Sequence, residues 1–146
     1  MSFAVDANLL LYASDLSSPR QPHAYEQLSR LAQGPEIAYL FWPVLTAYLR
    51  IATHSSIFSA PLSPEEAMAN VSALVALPHV RCPGENAGFW DVYEQIAAGQ
   101  NIRGNLVSHA HLVALMKQHG VTVIWTDDRD FRRFEGITVR SLDELT

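Results

Sequence analysis

The sequence predicts an α/β fold in which a central parallel β-sheet is flanked by α-helices. Short apolar runs, which are typical of buried parallel strands, alternate with longer amphipathic stretches along the whole chain. The chain has 146 residues and is 49% hydrophobic, which is the size and apolar content of one domain with its own core. We therefore expect residues 1–146 to form a single domain, with the three tryptophans in its core.

The first half of the chain contains two predicted strands and four predicted helices. Ser63 precedes Pro64 and two glutamates, which favours a helix start because Ser caps the helix, Pro fits its first turn and acids interact with its positive end. Pro43 also suits the start of a helix, whereas Pro19 and Pro22 are expected to interrupt one. The predicted strands are Ser2–Asp6 and Glu36–Leu40, and the predicted helices are Asn8–Ala13, His23–Ala32, Val44–Thr53 and Ser63 to about Leu77.

The second half adds three predicted strands and two predicted helices. The polar loop from Gly99 to Gly104 is the one flexible connection long enough to have a functional role. The glycines of this half lack the spacing of a dinucleotide-binding or P-loop motif. The predicted strands are Val80–Cys82, Val121–Thr126 and an edge strand, Ile137–Arg140, and the predicted helices are Ala87–Ala98 and Leu106–His119.

Composition argues against several classes of protein. Cys82 is the only cysteine, so no internal disulfide can form. The chain begins without the basic and apolar segments of a secretion signal, and no apolar run approaches the roughly 20 residues of a membrane span. We therefore expect a soluble, cytoplasmic protein. The net charge of −5 is unusual for a general nucleic-acid binder, although all the basic residues but Lys117 are arginines, which bind phosphate bidentately.

Three aspartates follow two of the predicted strands. Asp6 ends the apolar run at the start of the chain, and Asp128 and Asp130 follow the run that ends near Trp125. Because an open parallel sheet binds ligands beyond the carboxyl ends of its strands, we expect these carboxylates to share one pocket. Carboxylate oxygens are hard ligands that suit Mg²⁺ or Mn²⁺. The pattern predicts metal-dependent phosphoryl chemistry.

Five short motifs occur in order along nearly the whole chain. They are Val5–Tyr12, Leu49–Thr53, Pro61–Ala67, Gly104–Val107 and Thr126–Phe131, the last followed by Phe134–Gly136. In these motifs the chain resembles the PIN-domain ribonucleases, and specifically the VapC toxins of bacterial toxin–antitoxin pairs. The PIN fold that this resemblance implies is a parallel sheet flanked by helices, which agrees with the predicted alternation of elements.

The resemblance implies a metal-dependent endoribonuclease. Asp6, Asp128 and Asp130 would be its catalytic residues, with Mg²⁺ or Mn²⁺ as cofactor and a metal-activated water as the nucleophile. Attack in line with the 3′ oxygen would leave a product with a 5′-phosphate. The resemblance also implies a structured cellular RNA as substrate, a VapB-like antitoxin as partner, and a homodimer.

The chain departs from the family pattern in two places. PIN nucleases usually have a glutamate in the helix after the second strand, and none occurs between Val44 and Arg50. His109 stands where family members have a metal-binding aspartate. We therefore predict Asp6, Asp128 and the substituted His109 as metal ligands. Neutral imidazole suits Zn²⁺, Ni²⁺ or Mn²⁺ better than Mg²⁺, so we expect weaker Mg²⁺ binding and lower activity than in a relative with aspartate there.

This departure leaves an alternative function open. An attenuated or catalytically inactive PIN domain could bind antitoxin or RNA without efficient cleavage. A protonated His109 would favour this alternative, because an imidazolium repels a metal ion.

Several polar residues are candidates for supporting roles. Asn8 is close enough in sequence to the first aspartate to orient it or a bound water, and Ser108 is either a helix cap or a partner of the metal ligands. Asp127 is expected to cap or turn the chain, and His111 to lie on a different helix face from His109. Four arginines are expected to position the RNA backbone: Arg103, Arg129, Arg132 and Arg133.

Overall fold

The computed structural model describes residues 1–146 and contains one five-stranded β-sheet in which all neighbouring strands are parallel. The strands in chain order are β1 (Ser2–Val5), β2 (Ile37–Tyr39), β3 (Val80–Arg81), β4 (Val123–Trp125) and β5 (Thr138–Arg140). Across the sheet the order is β3-β2-β1-β4-β5, so β1 is central and β5 lies at an edge. The predicted α/β class is confirmed, as are all five predicted strands.

Six α-helices connect and flank the strands. They are α1 (Ala7–Ser14), α2 (Gln21–Gln33), α3 (Trp42–Ala52), α4 (Pro64–Val75), α5 (Phe89–Ala97) and α6 (Asn105–Gln118). The ends of every helix and strand lie within two residues of the predicted positions. None of the helices combines the length and the apolarity that crossing a membrane requires.

Prolines and a capping serine account for where three helices begin. Pro43 lies in the first turn of α3 and Pro22 in the first turn of α2. Proline is tolerated there because the first amides of a helix have no partner within it. The predicted break between α1 and α2 is confirmed, but it contains Pro19 and not Pro22. At the start of α4, the Ser63 hydroxyl accepts from the Glu66 amide at 3.1 Å, and the Ser63 amide donates to the Glu66 carboxylate at 3.2 Å.

The buried side chains form one continuous cluster around the sheet. Phe3–Val5 of β1 are all buried, which shows that both faces of the central strand are covered. Trp125 belongs to this core and stacks on Phe3 with ring centroids 3.9 Å apart. Trp42 and Trp90 are 45% and 64% exposed, so the prediction that they are core residues was wrong. Their helices, α3 and α5, direct these two side chains to the surface.

The strand order changes direction at the boundary between β1 and β4. The chain first adds β2 and β3 on one side of β1, and then adds β4 and β5 on the other side. In an open parallel sheet, a crevice forms at the carboxyl ends of the strands on either side of such a boundary. Asp6 follows β1 and Asp128 follows β4, so the topology brings acidic residues from opposite ends of the chain to one place.

Replacing Ser63 with alanine should lower the free energy of unfolding by about 1 kcal/mol, because the first turn of α4 loses its cap. Ser72→Ala is a matched control in the same helix, at an exposed position without a side-chain hydrogen bond, and should be neutral or slightly stabilising. Urea unfolding followed by circular dichroism measures both variants. Equal losses of stability would contradict the capping role of Ser63.

Candidate active site

The carboxyl ends of β1 and β4 open into a cleft of about 600 Å³. Its walls come from the start of α1, one face of α3, the middle of α6 and the turn after β4. Six of the residues singled out from the sequence line this cleft: Asp6, Asn8, Ser108, His109, His111 and Asp128. The cleft therefore collects residues that are far apart in the chain.

Asp6 is held by hydrogen bonds to both of its carboxylate oxygens. It caps α1, where its Oδ1 accepts from the amide of Ala7 at 2.7 Å, and its Oδ2 accepts from the Thr126 hydroxyl at 2.7 Å. Burial raises the pKa of Asp6 despite these two bonds, because a desolvated carboxylate is less stable as an anion. A cation in the cleft would offset this desolvation, which makes Asp6 a suitable metal ligand.

Thr126 is a supporting residue that reasoning from the sequence missed. It is fully buried, and besides donating to Asp6 its Oγ1 accepts from Asn8 Nδ2 and from the Asp128 amide, each at 3.0 Å. The hydroxyl thus uses its donor and both of its acceptor positions. Asn8 is connected to Asp6 through this hydroxyl. The only sequence signal for Thr126 is a hydroxyl residue at the end of an apolar run.

His109, Asp128 and Asp130 form a compact group of potential metal ligands. One ligand atom of each residue lies within 4.8 Å of those of the other two. The Asp130 amide donates to Asp128 Oδ1 at 2.9 Å, which stabilises the turn that presents both carboxylates. Asp6 is outside this group and lines the same cleft. Carboxylate oxygens with one imidazole nitrogen fit a divalent ion, and the nitrogen favours Mn²⁺ over Mg²⁺.

Both ring nitrogens of His109 face hydrogen-bond acceptors. Nδ1 lies 2.7 Å from the carbonyl oxygen of Asn105, and Nε2 lies 2.6 Å from Asp128 Oδ2. Because a carbonyl and an ionised carboxylate can only accept, these two contacts favour the doubly protonated, imidazolium form of the ring. Burial by itself favours the neutral ring, but the bonds to Asn105 and Asp128 and the nearby negative charges raise the pKa of His109 overall.

The same contact acts on Asp128. Burial favours the protonated carboxyl, but the hydrogen bonds from the Asp130 amide and from His109 lower the pKa of Asp128 overall. A metal ion that uses Nε2 of His109 must displace the proton shared with Asp128. Protons and metal ions therefore compete for this part of the cleft.

The arginines predicted to position RNA lie outside the cleft. Arg129 and Arg132 are exposed and line a neighbouring pocket of about 210 Å³. Arg133 donates to the Gln100 carbonyl at 3.4 Å, and the Gln100 side chain donates to the Arg133 carbonyl at 3.2 Å. Arg103 is exposed just before α6. In the sequence, Arg129 lies between Asp128 and Asp130, and Arg132 follows Asp130 by two residues.

The polar lining of the cleft also includes Ser108, His111 and Arg50. Ser108 lies inside α6, so the alternative that it caps that helix was wrong. His111 bonds through Nε2 to Glu85 at 2.7 Å, while His109 bonds to a different carboxylate, so the two histidines form no common clamp. Arg50 in the last turn of α3 was not singled out from the sequence, because a lone arginine does not indicate which way its helix face points.

Asp127, the neighbour of Asp128, has a structural role. Its Oδ1 accepts from the amide of Leu142 at 2.8 Å, and its Oδ2 lies 2.9 Å from Nη2 of Arg20. These contacts join the turn after β4 to the C-terminal segment and to the start of α2. The prediction that Asp127 shapes the chain agrees with these contacts.

Replacing His109 with asparagine should destabilise the protein in EDTA by an amount that depends on pH. Folding raises the pKa of His109 and lowers that of Asp128, so the pair stabilises the fold where the imidazole is protonated and the carboxylate ionised. This stabilisation is full between about pH 4 and pH 6.5 and is lost as the pH rises through the raised pKa of His109. Denaturant unfolding across the pH range measures it. A loss of stability that does not vary with pH would contradict the ion pair.

Comparison with known proteins identifies the family. The model of the family described as PIN domain matches residues 3–137. Ribonuclease VapC48 of Mycobacterium tuberculosis is 47% identical over 140 residues, which cover 96% of this chain and 97% of that protein. Two solved structures share the fold. DNA-bound VapBC from Salmonella typhimurium matches with a TM-score of 0.67 and 17% identity, over 97% of this chain and 98% of that chain. Mycobacterium tuberculosis VapC20, a sarcin–ricin loop cleaving toxin, matches with a TM-score of 0.65 and 16% identity, over 93% of this chain and 98% of that chain. The chain belongs to the PIN-domain family and, within it, to the VapC ribonucleases.

Proposed function

We propose that this chain is a divalent-metal-dependent endoribonuclease and the toxin of a VapBC-type toxin–antitoxin pair. The main observation is the convergence of Asp6, Asp128, Asp130 and His109 at the carboxyl ends of two adjacent parallel strands. The 47% identity to a ribonuclease VapC over nearly the whole chain supports the same function. We assign the three aspartates as catalytic, and Asp6, Asp128 and His109 as metal ligands with Asp130 beside them.

The protein's part in the reaction is to hold these groups in place before RNA binds. When bound, a divalent ion supplies a water of lowered pKa and positive charge that offsets the charge developing on the phosphate. Thr126 holds Asp6, and the amide of Asp130 holds Asp128. His109 would serve as a ligand through Nε2 after the proton that it shares with Asp128 is lost to solvent. The expected product of hydrolysis has a 5′-phosphate.

We infer that the substrate is a structured cellular RNA. VapC20, which has the same fold, is described as a toxin that cleaves the sarcin–ricin loop. Arg129 and Arg132 are exposed in the pocket next to the acidic cleft, where they can bind phosphates of an RNA strand that extends beyond it. Arg103 and Arg133 are assigned the same role at the outer end of the α5–α6 connection.

The proton that His109 shares with Asp128 is the one feature that opposes metal binding, and a metal ion can displace it; nothing else in the structure favours the alternative of a domain that binds without cleaving. Of the three carboxylates that we assign as catalytic, Asp6 and Asp128 line the cleft, while the exposed Asp130 does not and instead lies within 4.8 Å of the ligand atoms of Asp128 and His109. His109 keeps one nitrogen directed at this group, where it offers a ligand to Mn²⁺ once it is deprotonated. The substitution of His109 for aspartate accordingly makes metal binding dependent on pH.

An apolar groove supports a protein partner such as a VapB-like antitoxin. The groove has a volume of about 450 Å³ and lies between α1, α2 and α4, and its apolar side chains include Leu16, Tyr25 and Leu74. Leu16 and Tyr25 are 87% and 62% exposed, so the groove presents apolar surface of the kind that protein partners cover. The relative from Salmonella typhimurium forms a VapBC assembly, and we assign this groove to the corresponding antitoxin.

A second apolar surface supports a homodimer. α5 has no fully buried residue, and Trp90 on this helix stacks on Tyr93 with ring centroids 5.4 Å apart. Aromatic side chains exposed to this degree are enriched at protein interfaces. We assign the outer face of α5 to the contact between two copies of the chain.

Replacing Asp6 with asparagine should lower RNA cleavage by about 100-fold or more, because the cleft loses one of its anionic ligands. Asparagine is preferred to alanine because it keeps a side chain that can bond Ala7 and Thr126. Glu65→Gln, which removes one exposed negative charge on α4, should leave cleavage unchanged. Cleavage of bacterial RNA in Mn²⁺ and growth after induced expression are the measurements. Retention of full activity by Asp6→Asn would refute the catalytic assignment.

Replacing His109 with aspartate should tighten Mg²⁺ binding by roughly 10- to 100-fold, because an anionic oxygen ligand replaces a nitrogen that must first lose a proton. The pH dependence of metal affinity between about pH 5 and pH 8 should also become weaker. Isothermal titration calorimetry at several pH values measures both effects, with His54→Asp on an exposed segment as the matched control.

The growth assay distinguishes the possible roles of His109. The His109→Asp chain should arrest growth more strongly than the chain with His109 and be rescued by the cognate antitoxin. Equal Mg²⁺ affinity in the two chains would show that His109 is not a metal ligand. Harmlessness of both chains, with metal bound normally by the variant, would favour the binding-only alternative.

A further inference from the structure

Arg50 extends from the wall of the cleft formed by α3. The residues of this helix that line the cleft include Pro43, Thr46, Ala47 and Arg50, whose spacing places them on one face of the helix. Arg50 is the only charged residue that α3 contributes to the lining, and its side chain is exposed. The cleft therefore has an acidic side, formed by the turns after β1 and β4, and a wall with a single positive charge.

The guanidinium of Arg50 has no partner within the protein. Five arginines form ion pairs or hydrogen bonds through their side chains: Arg20, Arg30, Arg81, Arg133 and Arg140. Four have no such contact, namely Arg50, Arg103, Arg129 and Arg132. Of these four, only Arg50 lines the cleft that contains Asp6 and Asp128.

The absence of an ion pair between Arg50 and the acids indicates what fits between them. No carboxylate oxygen lies within 4.0 Å of the Arg50 guanidinium, although Asp6 and Asp128 line the same cleft. An anion bound beside a divalent ion would meet positive charge on both sides, from the metal and from Arg50. A phosphodiester matches this arrangement, because its two free oxygens accept the paired donors of a guanidinium.

We propose that Arg50 binds an RNA phosphate adjacent to the one that is cleaved, and so sets the register of the strand in the cleft. This inference rests on the proposed ribonuclease function and adds a substrate-binding residue to it. Arg50 differs from Arg129 and Arg132, which line the neighbouring pocket and not the cleft that contains Asp6 and Asp128. Arg50 would stabilise the bound substrate and the transition state by the same amount. Its loss should therefore weaken RNA binding without slowing the chemical step.

The test compares Arg50→Gln with Arg30→Gln, which removes the same charge on α2, where Arg30 pairs with Glu26 outside the cleft. RNA binding is measured in Mn²⁺ by fluorescence anisotropy with a fluorescein-labelled RNA oligonucleotide, in chains that also carry Asp6→Asn so that the RNA stays intact. Arg50→Gln should weaken binding roughly tenfold or more, and it should reduce the slope of log affinity against log salt by about 0.7. Arg30→Gln should change neither quantity.

Three further measurements separate substrate binding from a structural or metal-binding role. In the active chain, Arg50→Gln should raise KM by a similar factor with kcat nearly unchanged. Mn²⁺ affinity measured by calorimetry should not fall, since Arg50 is not a ligand. Arg50→Lys should keep the salt dependence while losing part of the affinity, because lysine retains the charge without the paired donors.

The outcomes distinguish this inference from the proposed function. RNA binding, salt slope and KM that are the same for Arg50→Gln as for Arg30→Gln would overturn the assignment of Arg50 while leaving the ribonuclease function intact. A lower kcat together with a lower Mn²⁺ affinity would also overturn it, since Arg50 would then act through the metal centre. If the unmodified chain neither binds nor cleaves RNA, the proposed function fails, and the assignment of Arg50 fails with it.

Discussion

The buried hydroxyl of Thr126 connects the ends of the two strands on which the acidic centre is built. It bonds to Asp6 after β1, to Asn8 in α1 and to the amide of Asp128 after β4. These bonds depend on the parallel pairing of β1 with β4, which places Val5 opposite Trp125. Each partner is buried or partly buried, so a missing partner would leave a desolvated polar group at a cost of about 1–3 kcal/mol. The fold and the geometry of the site therefore support each other through one side chain.

In this cleft, either a proton on His109 or a bound metal ion can neutralise the negative charge of the carboxylates. The imidazolium of His109 neutralises Asp128 at the position where a metal ion would do so, and Asp6 remains desolvated with a raised pKa. A divalent ion would bind in place of this proton, so the metal affinity of the site should depend on pH. Arg50 lines the same cleft and forms no ion pair with its carboxylates, so its guanidinium remains available to an anionic substrate.

Local signals accounted for much of the structure. Apolar runs, prolines and capping residues act within a few positions of the chain, and they predicted all five strands and six helices to within two residues. The sheet order followed less directly, because it depends on which strands pair. The placement of acidic residues after two strands nevertheless predicted a common pocket, since all parallel strands end at the same edge of the sheet. Sequence motifs added the family, which the comparisons confirmed.

The sequence by itself determined the α/β class, the positions of the helices and strands, the family, and the placement of acidic residues at the ends of β1 and β4. Each of these follows from residue patterns within a few positions of the chain or from the order of the motifs. Only the tertiary structure decided that Thr126 joins these acids, that His109 is paired with Asp128, that Arg50 lines the cleft and that Trp90 lies on the surface. These features depend on the rotation of each helix about its axis and on contacts between residues far apart in the chain. Packing of the whole core sets the helix rotations and the long-range contacts, and no local sequence pattern predicts them.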